Sequence, residues 1–198
     1  MDPLFEHLRE RLSRHPARAL NLPGVSLRES AVLVPLFLRG GVPHVLFTKR
    51  PMTLRSHAGQ ISFPGGARDP EDATSLHTAL RETYEELGVP AEQVEILGML
   101  DEIPTISRFR VVPYVGVIPG SWVYRPSAEE IEEIIEAPLP ALMDPAIHRA
   151  EKRFVGEGER KIYFYDFGPH IIWGATARIL KDLLHHIAEL AAGSRFRT

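Results

Sequence analysis

The segment from Asp72 to Val89 combines an apolar stripe with a cluster of carboxylates at helical spacing. Its apolar stripe recurs every three or four residues, which is the period of one face of an α-helix. The stripe consists of Leu76, Leu80, Thr83 and Leu87. Gly88 follows it, and glycine is the usual residue just beyond a helix end. The spacing predicts a helix from about Asp72 to Leu87 that packs through this stripe.

Three glutamates lie on the other side of the predicted helix. Glu82, Glu85 and Glu86 stand at offsets of three and four, so at about 100° per residue they fall within a sector of roughly 100°. Like charges at these offsets repel and weaken a helix unless cations neutralise them. Hard divalent ions prefer oxygen ligands and often bridge carboxylates to phosphates. Taken alone, such a charge run is more typical of a solvated surface.

The stretch before this helix, residues 49 to 72, loses periodicity and collects glycine and proline, which indicates a long loop. Phe63-Pro64-Gly65-Gly66 leaves its backbone open to the approach of a metal or a phosphate. A glycine pair by itself indicates only a turn. Next to three glutamates, however, it favours a site for phosphoryl chemistry.

The rest of the chain predicts an α/β fold in one domain. A helix at about 3–14 is capped by Asp2 and ends before Pro16, and it is assigned to packing. Further expected elements are strands Ala31–Leu38 and Val42–Thr48 around Gly40-Gly41, strands Val94–Leu100, Val111–Ile118 and Ile162–Phe167, a short acidic helix Glu129–Ile135, and an amphipathic closing helix Thr176–Ala192. This order predicts a mixed sheet covered by helices, with its core at about 30–192 of the 198 residues.

Composition bounds the function classes. The net charge of -3 gives no reason to expect nucleic acid or an anionic membrane as partner. The chain has no cysteine, which excludes disulfides, thiolate zinc sites and cysteine nucleophiles. The first ten residues lack the basic-then-apolar order of a signal peptide, and no apolar run approaches the roughly 18 residues of a membrane span. The cytoplasm is the expected compartment.

Arg81 to Val89 resembles the second half of the Nudix box, which reads Arg-Glu-apolar-any-Glu-Glu-any-Gly-apolar. Thr83 stands where that pattern has a larger apolar residue. The first half of the box is a glycine, five residues, an acidic residue and a gap of seven residues. It fits either as Gly65 with Glu71 or as Gly66 with Asp72, and the gap is then nine or eight residues. The early acidic position therefore has two alternatives.

A second resemblance concerns Leu46 to Arg50 and Leu54 to Gly66, which are similar to the motif before the box in coenzyme A diphosphatases of the Nudix superfamily. Those relatives also have a slightly lengthened box, here Thr78-Ala79-Leu80, and a Trp-Gly-x-Thr-Ala element, here Trp173 to Ala177. The likeness spans roughly residues 30 to 185. It implies the Nudix fold, a mixed β-sheet sandwiched between α-helices, and hydrolysis of coenzyme A to 4'-phosphopantetheine and adenosine 3',5'-bisphosphate with Mg²⁺ or Mn²⁺.

The resemblance also implies roles for individual residues. Expected metal ligands are Glu82, Glu85, Glu86 and the backbone of Gly66, with Arg81 orienting Glu85. Expected substrate contacts are Arg50, Arg55, His57, Gln60 and Gly65, because guanidinium and backbone donors suit phosphates. Glu130 is one candidate for the general base, and Glu71, Asp72 and Glu102 are the others.

Two alternatives stay open from the sequence. A Nudix hydrolase for ADP-ribose or a dinucleoside polyphosphate would use the same helix with different loops. A non-catalytic nucleotide-binding Nudix domain would keep the fold without turnover. A homodimer is compatible with the sequence, but nothing in it specifies the oligomeric state.

Overall fold

The computed structural model of the chain describes residues 2–53, 57–155 and 158–194. Its α-helices are α1 (Pro3–Arg14), α2 (Ser75–Leu87), α3 (Leu139–Leu142) and α4 (Gly174–Ser194), with 3-10 helices at Ala91–Gln93 and Pro145–Ile147. Its strands are β1 (Arg28–Arg39), β2 (Val42–Lys49), β3 (Ile61–Ser62), β4 (Gly65–Ala67), β5 (Glu95–Met99), β6 (Ile103–Pro104), β7 (Phe109–Val117), β8 (Glu133–Pro138), β9 (His148–Val155), β10 (Gly158–Phe167) and β11 (His170–Trp173).

The larger sheet has eight strands, with the order β3-β2-β1-β7-β5. Strand β4 also pairs with β1, β6 with β7, and β8 with β2. The β1–β7 pair is parallel and the other pairs are antiparallel, so the sheet is mixed. A second sheet has the order β11-β10-β9. The predicted fold class is therefore confirmed.

Both faces of the larger sheet are buried, and β1 shows how its residues divide between them. Ala31, Leu33 and Phe37 pack with α2 on one face. Val34 and Leu36 pack on the other face with α1, α4 and the three-stranded sheet. A strand that is covered on both sides reads as a continuous apolar run rather than an alternating one. This explains why residues 31–38 are apolar almost throughout.

The predicted α1, hairpin and closing helix are present. The side chain of Asp2 accepts a hydrogen bond from the Leu4 amide at 2.8 Å, as expected of an N-cap. The β1–β2 turn contains Gly40 and Gly41, both at positive φ, which glycine adopts without steric cost. Helix α4 spans Gly174–Ser194, two residues longer at each end than expected.

The acidic helix expected at Glu129–Ile135 was wrong. Its second part belongs to β8, which pairs antiparallel with β2 along the edge of the larger sheet, and Ile135 faces Phe47. Sheet pairing outweighs the helix propensity of the glutamates, because Ile131, just before β8, and Ile135, within β8, are both buried. Strands β9 and β11 were not predicted from the sequence.

None of the described helices is both long enough and apolar enough to cross a bilayer.

Helix α1 shares its core with α4 and the sheet, since Phe5, Leu8 and Leu12 are buried in that cluster. We expect Leu8→Ala to lower the free energy of unfolding by about 3 kcal/mol, as buried leucine truncations do. His7→Ala is the control, because His7 is exposed on the same helix. Urea unfolding followed by circular dichroism and by tryptophan fluorescence should give one coincident transition. Two separate transitions would contradict the single-domain prediction.

Candidate functional site

Helix α2 buries a different face from the one its apolar residues predict. Ala79, Thr83 and Leu87 are buried, but so is Glu86, which is only 3% exposed. Glu86 lies seven residues after Ala79, so the two side chains point about 20° apart around the helix axis. Leu76 and Leu80 are only partly buried. The buried face of α2 therefore extends beyond the predicted apolar stripe and includes Glu86.

The Glu86 carboxylate is in an unfavourable environment for a charge. Burial, together with the nearby carboxylates of Glu82 and Glu130, raises its pKa to about 8. The guanidinium of Arg50 and the backbone amide of Gly65 oppose this shift. Within the described chain, the Oε2 atom of Glu86 is buried and has no hydrogen-bond partner. A buried polar atom without a partner is rare and points to a ligand.

Glu82 lies one turn before Glu86 and beside the glycine bend. Its pKa is raised by burial and lowered by Arg81. The Cα of Gly66 faces the Glu82 carboxylate so closely that any Cβ at position 66 would collide with it. At Gly65, which has a φ of 154°, a Cβ would lie 2.6 Å from Val32 Cα. Gly65 is therefore required for the close approach of β4 to β1, and a side chain at position 66 would displace the Glu82 carboxylate.

Arg81 is surrounded by acceptors. Its Nη1 donates to Glu82 Oε1 at 3.0 Å and to Glu85 Oε2 at 3.1 Å. Its Nη2 donates to Asp72 Oδ2 at 3.0 Å and to the Ala67 carbonyl at 3.1 Å, while Nε donates to Asp72 Oδ1 at 3.1 Å. The predicted Arg81–Glu85 contact is present, as one part of this larger network.

Glu85 lies apart from the neighbouring carboxylates of Glu82 and Glu86. Its side chain is 51% exposed and directed to Arg81. Among the described residues, no three His, Asp or Glu side chains converge closely enough to bind one ion. The structure thus brings Glu82 and Glu86 together and holds Glu85 apart from them.

The structure separates the two alternatives for the early acidic position. Asp72 is buried and forms the two-pronged contact with Arg81. Hydrogen bonding from Arg81, opposed by burial, lowers the pKa of Asp72 to about 2. Glu71 is exposed. Of the two residues, Asp72 is therefore the one that contacts α2. Both of its carboxylate oxygens already accept hydrogen bonds from Arg81.

The four candidates for a general base differ in their surroundings. Glu102 accepts from the Leu20 amide at 2.7 Å and lies 3.8 Å from Arg110, so it holds residues 18–20 in place. Glu130 is exposed and close enough to Glu82 and Glu86 to raise the pKa of both. Glu130 is the candidate that borders Glu82 and Glu86.

Backbone hydrogen bonds bring Glu130 to this position. The amide of Arg125 donates to the Leu87 carbonyl at 3.0 Å, and that of Ser127 donates to the Glu86 carbonyl at 3.2 Å. The amide of Glu130 then donates to the Ser127 carbonyl at 3.0 Å. The turn that carries Glu130 is therefore attached to the last residues of α2.

The expected substrate-binding residues lie in different settings. Arg50 acts electrostatically on Glu86, and its Nε is buried without a hydrogen-bond partner in the described chain. His57 is exposed, and its Nδ1 lies 2.7 Å from Gln60 Oε1, so these two side chains bind each other. Arg55 lies outside the described residues.

A second arginine network, not found from the sequence, supports the segment before α2. Arg68 donates to the carbonyls of Asp72 and Ala73, and its remaining amino group pairs with Glu29 on β1. Arg110 on β7 also pairs with Glu29. The hydrogen bond from Arg68 lowers the pKa of Glu29, although burial acts in the opposite direction. A lone arginine in a loop gave no signal of this contact.

A groove of about 530 Å³ runs along the outer side of α2, lined by residues that include Asp72, Arg81 and Tyr84. Glu86 and Glu82 do not line it. The groove thus borders the arginine network and not the carboxylates of Glu82 and Glu86.

The sequence matches a known protein family over most of its length. The family model described as the NUDIX domain matches residues 27–155. The uncharacterized Nudix hydrolase NudL of Cronobacter sakazakii is 37% identical over 186 residues, 93% of this chain and 92% of the relative. A protein of the same name from Klebsiella pneumoniae is 39% identical over 180 residues, 90% of this chain and 88% of the relative.

Two solved structures share the fold at low sequence identity. The NUDIX hydrolase from Alicyclobacillus acidocaldarius has a TM-score of 0.51 at 20% identity, covering 85% of this chain and 96% of that one. The MutT/nudix family protein from Enterococcus faecalis has a TM-score of 0.53 at 17% identity, covering 86% and 66%. With the match to the family model and to the NudL proteins, they show that the chain belongs to the Nudix family and is a Nudix hydrolase.

Proposed function

We propose that this Nudix hydrolase cleaves the diphosphate bond of coenzyme A or its derivatives in a metal-dependent reaction. The observation that carries the proposal is the pair of neighbouring carboxylates of Glu82, which is 16% exposed, and Glu86, which is buried with one oxygen lacking a partner in the described chain. Placed against the Gly65-Gly66 bend and near Arg50, this pair suits a cation and a phosphate together.

The residues present fit a divalent cation. Enzymes of this family generally use ions such as Mg²⁺. Glu82 and Glu86 offer hard oxygen ligands whose mutual repulsion a cation would relieve, and the Gly66 backbone approaches them. When bound, Mg²⁺ or Mn²⁺ would also shield the negative charge of the diphosphate. In this proposal Glu85 joins the site by leaving Arg81, which needs only a side-chain rotation because Glu85 is exposed.

The remaining roles follow from position. Arg50 has an unpartnered donor beside the carboxylates and binds a phosphate oxygen. Glu130 is exposed at the rim and takes the proton of the attacking water. Water forms a bond to one phosphorus, the bond from that phosphorus to the bridging oxygen breaks, and the electron pair leaves with the departing phosphate. No covalent intermediate with the enzyme is required.

Coenzyme A is favoured over other diphosphates by the segment before the box. Leu46 to Arg50 and Leu54 to Gly66 match the motif of coenzyme A diphosphatases. The segment carries Arg50 and His57, which can meet the 3'-phosphate that distinguishes coenzyme A from ADP-ribose. The choice of substrate therefore rests on this segment and not on α2.

We expect Glu86→Gln to lower turnover by about two to three orders of magnitude, because a carboxylate ligand of the proposed cation is replaced by a neutral amide. Glutamine has the same shape and removes a repulsive buried charge, so the thermal midpoint without added metal should not fall. Glu92→Gln is the matched control, since Glu92 is exposed beyond the C-terminal end of α2. Near-native turnover of Glu86→Gln with a normal thermal midpoint would overturn the assignment.

Substrate choice is tested by comparing coenzyme A, ADP-ribose and a dinucleoside polyphosphate at equal concentrations with Mg²⁺ and with Mn²⁺. We expect the highest kcat/KM for coenzyme A, with 4'-phosphopantetheine and adenosine 3',5'-bisphosphate as the products identified by mass spectrometry. A clear preference for ADP-ribose would reject coenzyme A while keeping the hydrolase. Absence of turnover on the whole panel would favour a nucleotide-binding role.

Asp72 holds Arg81, and its charge stabilises the fold. The folded-state pKa of about 2 is below the ordinary value, so this stabilisation is complete above about pH 4 and is lost as the pH falls towards 2. We expect Asp72→Asn to lower the free energy of unfolding by about 2 kcal/mol at pH 7. Urea titrations at several pH values should show this difference shrinking below pH 4. A difference that is independent of pH would exclude the ion pair as its cause.

A further inference from the structure

Thr176, near the start of α4, makes a contact far from its own position in the sequence. Its hydroxyl donates to the carbonyl oxygen of Ile61 at 3.0 Å, and the two residues are 115 positions apart. Thr176 is 9% exposed and Ile61 is 6% exposed, so the bond is shielded from water. The contact explains the threonine of the Trp173 to Ala177 element, which the proposed chemistry leaves without a role.

The acceptor belongs to a short strand at the edge of the larger sheet. Strand β3 has two residues and, among the described strands, pairs with β2 alone, where Ile61 faces Lys49. A buried carbonyl without a donor costs more free energy than an ordinary hydrogen bond contributes. The Thr176 hydroxyl supplies a donor, and β3 is thereby held between β2 and α4.

Strand β3 is the direct continuation of the proposed substrate-binding segment. The amide of Arg50 donates to the Gln60 carbonyl at 3.0 Å, and the amide of Gly59 donates to the Arg50 carbonyl at 3.1 Å. These bonds close the base of the segment that carries Arg50, His57 and Gln60. Because Ile61 follows Gln60, the position of this base depends on the bond from Thr176.

The glycine bend after β3 has separate support. Gly65 pairs with Val32 in the β1–β4 ladder, and the amide of Leu33 donates to the Pro64 carbonyl at 2.9 Å. These contacts hold Gly65 on β1 without help from α4. Loss of the Thr176 bond should consequently disturb the substrate-binding segment and leave the bend at Glu82 and Glu86 in place.

We propose that Thr176 is a positioning residue that sets the affinity for the substrate by fixing the base of the substrate-binding segment, where Arg50 meets Gly59 and Gln60. This inference rests on the proposed function, since it takes that segment as the substrate-binding one. Thr176 contacts neither the substrate nor the carboxylates and acts through Ile61.

The test is steady-state kinetics of Thr176→Val and Thr176→Ser with coenzyme A and Mg²⁺. Valine keeps the shape and removes the donor, so KM should rise about five- to tenfold, the effect of losing one buried hydrogen bond, while kcat stays within about twofold. Serine keeps the donor and should restore KM to within about twofold of the wild type.

Ile187→Val is the matched control for stability alone. Ile187 is buried on the same helix, 4% exposed, and three turns beyond Thr176. Its truncation should lower the thermal midpoint without changing KM. A KM increase in Ile187→Val as large as in Thr176→Val would assign the effect to general loosening of α4 and overturn the proposal.

The remaining outcomes separate the two proposals. If the wild type does not hydrolyse coenzyme A, the proposed function fails before any variant is compared. If the wild type is active and Thr176→Val has an unchanged KM, only the role of Thr176 fails. If the valine variant does not fold, Thr176→Ala is compared with Thr176→Ser, because alanine removes the donor without placing a methyl group against the carbonyl. Equal KM values in these two variants would refute the role of Thr176.

Discussion

The burial of the Glu86 carboxyl group is the constraint around which the rest of the site is arranged. Burying a carboxylate without full hydrogen bonding costs several kcal/mol unless the group is neutralised or paired. Here Arg50 and the Gly65 amide offset only part of that cost, and the pKa of Glu86 remains near 8. The fold can hold such a group because both faces of the sheet are covered by apolar cores. The energy that these cores contribute keeps a carboxylate where a cation can use it.

Two arginines near this carboxylate differ in their hydrogen bonding within the described chain. Arg81 is engaged by Asp72, Glu82, Glu85 and a backbone carbonyl, so little of its donor capacity remains for a ligand. Arg50 retains a donor without a protein partner in the described chain. The first stabilises the carboxylate helix, and the second is the one to which the proposed function gives a phosphate contact. The difference follows from hydrogen bonding, since both side chains carry the same charge.

Periodicity predicted α2 and its end at Gly88, because one helix face and one glycine leave a local pattern in the sequence. The same reasoning set Glu86 apart from the packed stripe and gave no sign that its carboxylate is buried. It also predicted a helix for residues that belong to β8, whose extended conformation is set by pairing with β2. Strand β9 gave no apolar pattern at all. Its Arg149 and Arg153 cover Phe164 of the next strand, so cation–π packing replaces the expected alternation.

The contacts that complete the site are the ones that sequence could not supply. Ser127 reaches Glu86, and Gln60 receives the Arg50 amide, through backbone groups that every residue has. Such bonds leave no trace in residue type, so neither the position of Glu130 nor the closed base of the substrate segment could be derived beforehand. Their placement nevertheless has a functional consequence. The glycine bend is fixed to β1 and the substrate segment to α4, so changes in one support need not alter the other. Under the proposed function, a fold built in this way can vary its substrate without disturbing the carboxylates assigned to the cation.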